Sequence, residues 1–416
     1  MKYFKTDGIR GIFGPNDLSV ELILKLGYSF DIFKENKVLI GYDTRYSSKI
    51  ILEALKYALI IAGKRVIDYG VISTPCLEFL TKRKKTIGIM ITASHNDFSY
   101  NGLKIISRGH KIDNVQKEML EKRMEESHNP QKIGSYQKVA CPKSYFHFFD
   151  KIKIKKKYKI VFDLANGSMC FLSFYLKKRF NDAIIINDEP NGFNINDECG
   201  SLHPELARKV MHDNNYDLAA SFDGDGDRLI ISLKNGKILN GDLMLYFFAT
   251  ELKRRKKLKE NKVIYSIIAN RGIIKALEEE GIRVKLVNVG DENISKEIKA
   301  GVSLLGGEKS GHLIFSKKYN YSCALTSILK FLSLLNDEAI IRLNTLNEYY
   351  EVSKNYEQLK MSNRLLHHLR RIVKSVYVNI RQSGTERLYR LVLMSPRNEE
   401  IIEALSFLEK WNIKKN

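Results

Sequence analysis

The sequence predicts an α/β protein with several domains, on two observations. One is a recurring pattern in which an apolar, β-branched run leads into a polar loop containing glycine and then into residues with helical periodicity. It occurs in KVLIGYDTR (37–45), TIGIMITASHN (86–96), KIVFDLANG (159–167), DLAASFDGDGDR (217–228), KVIYSIIANRG (262–272) and VSLLGGEKSGH (302–312). Continuous apolar strands that alternate with helices are typical of parallel strands covered on both faces. The other observation is the length of 416 residues, which favours more than one core.

The strand pattern also suggests where the domains begin and end. The runs at 37–45, 159–167 and 262–272 would each open a similar α/β domain. The region 340–416 differs, because SVYVNIRQSGTERLYRLVLM alternates like two strands around a loop and NEEIIEALSFLEKWN is an amphipathic helix. This favours a small α+β fourth domain. The predicted boundaries are 1–150, 151–252, 253–342 and 343–416.

The composition favours a cytoplasmic protein without a membrane segment. Hydrophobic residues make up 44% of the chain, but no window reaches the roughly 18 apolar residues of a membrane span. The stretch MKYFKTDGIRG lacks the apolar core of a signal peptide. The five cysteines are scattered and form no C-x-x-C motif, which favours reduced thiols over a zinc site.

The charge of the chain is strongly positive, with 69 Lys and Arg against 48 Asp and Glu and a formal net charge of +21. Such a balance is compatible with nucleic-acid binding. However, the lysines lie between periodic segments, in TKRKKT, KIKIKKKYK and LKRRKKLKENK, as expected of solvated linkers and helix ends. We therefore expect no nucleic-acid partner and infer that the positive field attracts a phosphorylated small molecule.

The loop FDGDGDR is the most specific local signal. Asp223, Asp225 and Asp227 alternate with two glycines directly after an apolar run, so a tightly wrapped backbone can aim three carboxylates at one point. Oxygen ligands of this kind suit Mg²⁺. An EF-hand is excluded because its sixth and twelfth positions would hold Arg228 and Lys234 instead of Gly and Glu.

Ser94 lies in TASHN, at the end of a predicted strand. Taken alone, a serine there is expected to cap a helix. The flanking Ala93 and His95 do not form a G-x-S-x-G nucleophile elbow, so a Ser–His–Asp hydrolase is poorly supported. A role for this serine in chemistry depends on what the other loops bring to it.

Three further loops carry polar side chains between glycines. GGEKSGH can align a carboxylate and a hydroxyl with sugar hydroxyls, or it can be a tight glycine turn. RQSGTERLYR can form an anion nest, or a hairpin with Gly384 at its tip. In TDGIRG, Arg10 can stabilise a transferring phosphoryl group, or lie exposed in a turn.

Together and in this order, the motifs resemble the α-D-phosphohexomutase superfamily. The resemblance rests on KYFKTDGIRG, TASHN followed by NGLKI, EPNGFNIN, FDGDGDR, GGEKSGH and RQSGTE, which span nearly the whole chain. YFKTDGIRG and EPNGFNIN are most like those of the bacterial phosphoglucosamine mutases within it. The resemblance implies three similar α/β domains with mixed sheets and a small α+β domain similar to the TATA-box-binding protein, around a central cleft.

The resemblance also implies the chemistry and the residues that carry it. A phosphorylated Ser94 would exchange its phosphoryl group with glucosamine 6-phosphate through a 1,6-bisphosphate, giving glucosamine 1-phosphate for UDP-N-acetylglucosamine and cell-wall synthesis. The implied catalytic residues are Ser94, Arg10, Lys104 and His312. The implied metal ligands are Ser94, Asp223, Asp225 and Asp227. The implied substrate-binding residues are Glu308, Ser310, Arg228 and Asp291, and the phosphate-binding residues are Arg381, Ser383, Gly384, Thr385 and Arg390.

The implied cofactors and partners follow from the same resemblance. One Mg²⁺ per subunit and a hexose 1,6-bisphosphate that activates Ser94 are expected, with a sugar phosphate as the partner. The resemblance suggests a homodimer. The alternatives are a phosphomannomutase or phosphoglucomutase with the same mechanism, and a catalytically weakened sugar-phosphate binder.

Several positions depart from the family pattern. Asp97 stands where the family usually has proline, Glu292 where it has arginine and Arg387 where it has proline, and YNYSCA replaces a TGDG-like stretch. Asp97 and Glu292 are expected to weaken anion binding, and Arg387 to strengthen it. Because the implied ligands are retained, we expect a slower enzyme instead of an inactive one.

Overall fold

The computed structural model describes residues 2–4, 8–128, 132–315, 319–356, 375–382 and 389–410. The chain forms two compact units. Unit 1 comprises Met1–Gly241 and Ser310–Leu335, and unit 2 comprises Asp242–Lys309 and Asn336–Asn416. No helix of the described residues is long and apolar enough to cross a bilayer.

Unit 1 begins with a mixed sheet. Its strands are β1 (Ile9–Ile12), β2 (Lys37–Tyr42), β3 (Arg65–Val71), β4 (Ile87–Ile91), β5 (Tyr100–Ser107), β6 (His110–Lys111) and β7 (Ser135–Lys138). Their order is β1-β5-β4-β2-β3-β7, with β6 also paired to β5. Strand β2 is parallel to β3 and β4, whereas β5 runs antiparallel to both β4 and β1. The carboxyl ends of β2 and β4 therefore lie at the same edge of the sheet.

Helices accompany this sheet along the chain. They are α1 (Val20–Tyr28), α2 (Tyr46–Ile61), α3 (Thr74–Lys84), α4 (Asn114–Met124) and α5 (Lys143–Asp150). Ser19 caps α1 by accepting a bond from the N–H of Leu22, and Asp113 and Gln116 form a capping box on α4. Strands β2 and β4 are almost entirely buried, as their continuous apolar runs require.

A second mixed sheet completes most of unit 1. Its strands are β8 (Ile160–Asp163), β9 (Ile184–Ile186), β10 (Leu218–Phe222), β11 (Leu229–Leu233) and β12 (Ile238–Leu239), in the order β12-β11-β10-β8-β9. Helices α6 (Ser173–Arg179) and α7 (Glu205–Asp213) belong to it. Strands β10 and β8 are parallel and β11 returns antiparallel to β10, so the loop 223–228 is the connection between β10 and β11.

The first part of unit 2 is a smaller parallel arrangement. It contains α8 (Gly241–Arg254), β13 (Lys262–Ser266), α9 (Arg271–Glu279), β14 (Arg283–Val287), α10 (Asp291–Lys299) and β15 (Gly306–Gly307). Strand β13 pairs in parallel with β14 and β15. The chain then returns to unit 1 with β16 (Leu313–Ile314) and α11 (Ala324–Leu334).

The rest of unit 2 is an antiparallel sheet with helices. Its elements are α12 (Asp337–Thr345), β17 (Tyr350–Tyr356), β18 (Tyr377–Gln382), β19 (Tyr389–Ser395) and α13 (Asn398–Lys410). Strand β19 lies between β17 and β18 and is antiparallel to both. Its core joins Leu391 and Leu393 of β19 to Ile401, Ala404 and Leu408 of α13.

The predicted α/β class is confirmed, and each of the six apolar runs contains a strand. The sheets are mixed because β5 and β11 turn back against β4 and β10. The four domain boundaries stay a prediction.

Candidate functional site

The three aspartates of the loop after β10 form one buried carboxylate cluster. Each offers an oxygen that lies within 4.8 Å of the others. The N–H groups of Asp227 and Arg228 donate to Asp223 Oδ1 over 3.1 and 3.0 Å, which curls the loop around the first carboxylate. Gly226 adopts φ +74°, a conformation that glycine reaches without strain.

The cluster has the donor set of a hard-cation site. Asp225 Oδ1 is buried and has no hydrogen-bond partner within the part of the chain that the structure describes. A buried, unpartnered carboxylate oxygen is costly unless a ligand satisfies it. An all-oxygen set of three carboxylates therefore fits Mg²⁺.

Ser94 contacts this cluster directly. Its hydroxyl donates to Asp223 Oδ2 over 2.8 Å, although the two residues are 129 positions apart. Ser94 has φ +54° in a turn between β4 and β5. The expectation that this serine caps a helix is therefore wrong, because no helix follows it. A non-glycine residue held at positive φ is often found where function requires a fixed geometry.

His95 does not serve as a base for Ser94. The distance from Ser94 Oγ to His95 Nδ1 is 3.5 Å, which is long for proton transfer. Burial and the positive charges of Arg228 and Arg10 lower the pKa of His95 to about 2, so its ring stays neutral. This agrees with the sequence argument against a hydrolase.

Two basic side chains and a histidine surround the carboxylates. Lys104 Nζ lies 2.7 Å from Asp225 Oδ2 and 3.4 Å from Asp227 Oδ2, and its side chain is buried. His312 Nε2 lies 3.0 Å from Asp227 Oδ1, and Arg228 Nε lies 3.8 Å from Asp223 Oδ2. Lys104, His312 and Arg228 therefore lie at the aspartate loop, as predicted. The same loop contains Asp223, the hydrogen-bond partner of Ser94.

The carboxylates respond differently to this environment. Burial, followed by repulsion from Asp227 and Asp225, raises the pKa of Asp223 well above its usual range. Burial acts against ionisation of Asp227 too, but interactions with His312, Lys104 and Arg228 hold the pKa of its carboxyl well below its usual range. The loop therefore favours ionisation of Asp227, whereas ionisation of Asp223 would need an additional cation nearby.

Two more predicted residues lie close to this centre. Arg10 Nη1 donates to Asn96 Oδ1 over 3.2 Å, two positions from Ser94. Ser310 Oγ lies 3.3 Å from His312 Nδ1. Both contacts are within unit 1.

Glu308 and Asp291 meet in unit 2 at the start of α10. Glu308 Oε1 accepts from the N–H of Gly290 over 2.9 Å, and Asp291 is the next residue and the first of the helix. Glu308 is buried. A carboxylate held by a backbone N–H at a helix start keeps a fixed direction, and its second oxygen can accept a ligand hydroxyl.

Two arginines form the described part of the predicted phosphate loop. Arg381 of β18 and Arg390 of β19 are directly paired across the antiparallel strands. Burial and then repulsion from Arg390 lower the pKa of Arg381. Arg381 Nε has no hydrogen-bond partner among the described residues. Two adjacent guanidinium groups favour an anion. Ser383, Gly384 and Thr385 lie outside the described residues.

The departures from the family pattern have local explanations. The Asp97 carboxylate accepts from Ser99 N–H over 2.9 Å and from Ser99 Oγ over 2.5 Å, so it closes its own turn. Glu292 lies in the first turn of α10, where a negative charge is favourable. Arg387 lies outside the described residues.

The stretch YNYSCA braces the aspartate loop. Ser322 Oγ donates to the carbonyl of Asp227 over 2.5 Å, and Ala324 N–H donates to the carbonyl of Gly226 over 3.2 Å. Tyr319 packs on Phe148, with ring centroids 5.0 Å apart. This replacement therefore supports the loop instead of disrupting it.

Two residues that support the site were missed by the sequence argument. Thr74, the first residue of α3, donates from Oγ1 to Asp225 Oδ2 over 2.5 Å and from N–H to the carbonyl of Asp225 over 2.9 Å. Arg45 is buried after β2, with Nε 2.9 Å from Asp43 Oδ2, and donates to main-chain carbonyls of the Ser94 turn. The sequence feature that could have predicted a role for Arg45 is its position just after the carboxyl end of β2.

Comparisons with known proteins agree with this geometry. Family models described as phosphoglucomutase/phosphomannomutase, alpha/beta/alpha domain I and domain III match residues 1–131 and 240–356. A relative from Thermosipho africanus named phosphoglucosamine mutase is 34% identical over 96% of this chain and 95% of its own length.

Solved structures show the same fold. A phosphoglucomutase/phosphomannomutase family protein from Burkholderia thailandensis superposes with a TM-score of 0.83 at 23% identity, covering 98% of this chain and 96% of that one. N-acetylphosphoglucosamine mutase from Aspergillus fumigatus, solved with GlcNAc-6P and magnesium, gives a TM-score of 0.64 at 15% identity, covering 97% and 93%. The chain belongs to the phosphoglucomutase/phosphomannomutase family of phosphohexomutases, which are isomerase-class phosphotransferases.

Proposed function

We propose that this chain interconverts glucosamine 6-phosphate and glucosamine 1-phosphate, with Ser94 as the carrier of the phosphoryl group. The observation that carries the proposal is the 2.8 Å bond from the Ser94 hydroxyl to Asp223 within a buried cluster of three carboxylates. The choice of the amino sugar is supported by the name of the relative that covers almost the full chain.

The carboxylates Asp223, Asp225 and Asp227, with a phosphate oxygen on Ser94, would hold one Mg²⁺. The orphaned Asp225 Oδ1 and the cation-dependent ionisation of Asp223 support this assignment. When bound, the ion supplies charge neutralisation at the phosphoryl oxygens.

The transfer itself needs positioning and charge compensation more than covalent help. In the proposed first step, the bond between phosphorus and Ser94 Oγ breaks as the sugar's 1-hydroxyl oxygen bonds to phosphorus. The hydroxyl proton leaves to a base, for which His312 is the proposed candidate, and the same base would return the proton to Ser94 Oγ as this oxygen leaves phosphorus. Lys104 and Arg10 would offset the charge that develops on the phosphoryl oxygens.

The second step reverses the first with the other end of the sugar. The 1,6-bisphosphate would turn around, and its 6-phosphoryl group would pass to Ser94 Oγ, leaving glucosamine 1-phosphate and the phosphorylated enzyme. A hexose 1,6-bisphosphate would load Ser94 initially by the same reaction.

The remaining predicted residues would hold the substrate. Glu308 and Ser310 would bind sugar hydroxyls, with Arg228 and Asp291 as further contacts. Arg381 and Arg390 would bind the phosphate that is not reacting, and their pairing across β18 and β19 supports this role. Ser383, Gly384 and Thr385 are proposed from sequence alone.

Loading of Ser94 tests the function directly. The protein is incubated with glucose 1,6-bisphosphate and Mg²⁺, and its intact mass is measured. We expect a gain of one phosphoryl group that is absent in Ser94→Ala. An unmodified wild-type chain, or equal labelling of Ser94→Ala, would contradict the proposal.

Substrate preference is measured on the phosphorylated protein. We expect the highest kcat/KM with glucosamine 6-phosphate when it is compared with mannose and glucose 6-phosphates. A preference for mannose or glucose would reassign the chain to phosphomannomutase or phosphoglucomutase activity. Labelling without turnover on any of the three would favour a weakened sugar-phosphate binder.

A further inference from the structure

The Ser94 turn is held by its main-chain carbonyls. Arg45 Nη2 donates to the carbonyl of Ser94 over 3.0 Å and to that of Asn96 over 2.8 Å. Asn196 Nδ2 donates to the same two carbonyls over 2.9 Å each. Two side chains from different sheets of unit 1 therefore converge on one pair of acceptors.

Asn196 is itself fixed by its surroundings. It adopts φ +58°, and its N–H donates to the carbonyl of Ala165 over 3.0 Å. A Cβ on Gly224 would lie 2.8 Å from Asn196 Nδ2 and 2.6 Å from the carbonyl oxygen of Ser94. A side chain at position 224 would therefore collide with Asn196 and with the Ser94 carbonyl. Asn196 is in close contact with both the Ser94 turn and the aspartate loop.

The segment before Asn196 packs on the flanks of the same turn. Phe193 stacks on Tyr46 with ring centroids 5.0 Å apart and meets the edge of Phe98 at 5.4 Å. Tyr46 N–H donates to the carbonyl of Gly192 over 2.9 Å. The EPNGFNIN motif therefore packs against the Ser94 turn, a structural role that is separate from the proposed chemistry.

We propose that Asn196 is a positioning residue for phosphoryl transfer, because it fixes the main chain of the Ser94 turn so that Ser94 Oγ stays against Asp223. The effect of Asn196 on kinetics rests on the proposed function. Arg45 also donates from Nη1 to the carbonyls of Asp97 and Tyr100, so it holds the turn to the first sheet. Asn196 adds a second donor to the Ser94 and Asn96 carbonyls and, through its own N–H bond to Ala165, links the turn to the segment that follows β8.

The variant Asn196→Asp tests the donors without changing volume or backbone conformation. It replaces the amide donor with an oxygen that repels both carbonyls. Asn196→Gly removes the side chain and keeps positive φ accessible. Asn215 is an exposed residue with φ +56°, so Asn215→Asp and Asn215→Gly are matched controls.

We expect Asn196→Asp and Asn196→Gly to lower kcat by about 10- to 100-fold, since small misplacements of reacting groups have effects of this size. KM for glucosamine 6-phosphate and thermal unfolding should change little, and the Asn215 variants should match wild type. Wild-type kcat in both Asn196 variants, or a loss that is proportional to the unfolded fraction, would overturn the proposal.

Hydrogen exchange separates this proposal from the function. Amide exchange of residues 92–100 should be faster in Asn196→Asp than in wild type and in Asn215→Asp. This readout does not depend on catalysis, so it decides the role of Asn196 even if the wild-type chain proves to have no mutase activity. Unchanged exchange in this segment would overturn the positioning role.

Discussion

Single residues set the electrostatic balance at the candidate site. Lys104 is a buried ammonium 2.7 Å from Asp225 Oδ2, on the strand antiparallel to β4. It compensates part of the charge of three carboxylates and remains a cation near the proposed phosphoryl group. Its two effects oppose one another, since it stabilises transferring charge but competes with a metal for the carboxylates.

We therefore predict that Lys104→Met separates these two effects. The kcat should fall by about 100-fold because a preorganised cation is lost. The Mg²⁺ concentration for half-maximal activity should not rise, because a competitor for the carboxylates has been removed. Steady-state kinetics over a Mg²⁺ series measures both quantities.

The half-buried Lys25, which pairs with Glu21 on α1, provides the control, and Lys25→Met should behave as wild type. A large rise in the required Mg²⁺ concentration with unchanged kcat would show that Lys104 serves only to organise the metal loop.

The individual site residues differ in how far sequence predicts them. Asp223, Asp225 and Asp227 are predictable because their chemistry depends on spacing within one loop. Arg45 and Asn196 reach Ser94 from 49 and 102 positions away, and each donates to main-chain oxygens that carry no side-chain signal. Taken alone, Ser94 was expected to cap a helix, whereas it adopts φ +54° in a turn that no helix follows.

At the scale of elements, strand ends decide what the loops can do. The runs ending in Tyr42, Ile91 and Phe222 were predictable from continuous apolar residues. The antiparallel direction of β5 and β11 was not, because an apolar run has no direction by itself. Strand β5 brings Lys104 to the aspartate loop, and β11 begins directly after Arg228, the last residue of that loop.

In unit 2, one buried carboxyl links helices and a strand. Asp242 in the first turn of α8 accepts from the N–H of Asn270, the cap residue of α9, over 3.0 Å. Burial raises the pKa of Asp242 to about 6, although the nearby Tyr265 hydroxyl acts in the opposite direction. The folded chain therefore holds a proton that the unfolded chain has already released.

Because the pKa of Asp242 is higher in the folded chain than in the unfolded chain, its contribution to the free energy of unfolding should fall as pH rises from about 4 to about 6. Asp242→Asn is neutral throughout and should gain about 2 kcal/mol relative to wild type between pH 4.5 and pH 7.5. Thermal unfolding of both proteins at pH 4.5 and 7.5 measures the change. A difference between the proteins that is the same at both pH values would refute the assignment.

For the whole molecule, the excess of positive charge is the dominant long-range property. We expect the net charge of +21 to attract anionic sugar phosphates from a distance and salt to screen this attraction. Exposed lysines such as those at 153, 155, 156 and 157 contribute to the field without belonging to the candidate site.

We predict that kcat/KM for glucosamine 6-phosphate falls by about 3- to 10-fold between low and high ionic strength. The kcat at saturating substrate should change far less, because charges inside the site are screened weakly. Replacement of the four exposed lysines by Gln should reduce the salt dependence of kcat/KM and leave kcat intact. A kcat/KM that is independent of salt would argue against attraction by the overall field.

The carbonyl anchoring of the Ser94 turn has a consequence for the history of this sequence. Hydrogen bonds to main-chain oxygens are indifferent to the side chains that the turn carries. The turn can therefore accept new residues at positions such as 97, where aspartate stands in place of proline, while Arg45 and Asn196 keep hold of it. We therefore expect substitutions of side chains in the Ser94 turn to be tolerated better than substitutions of Arg45 or Asn196.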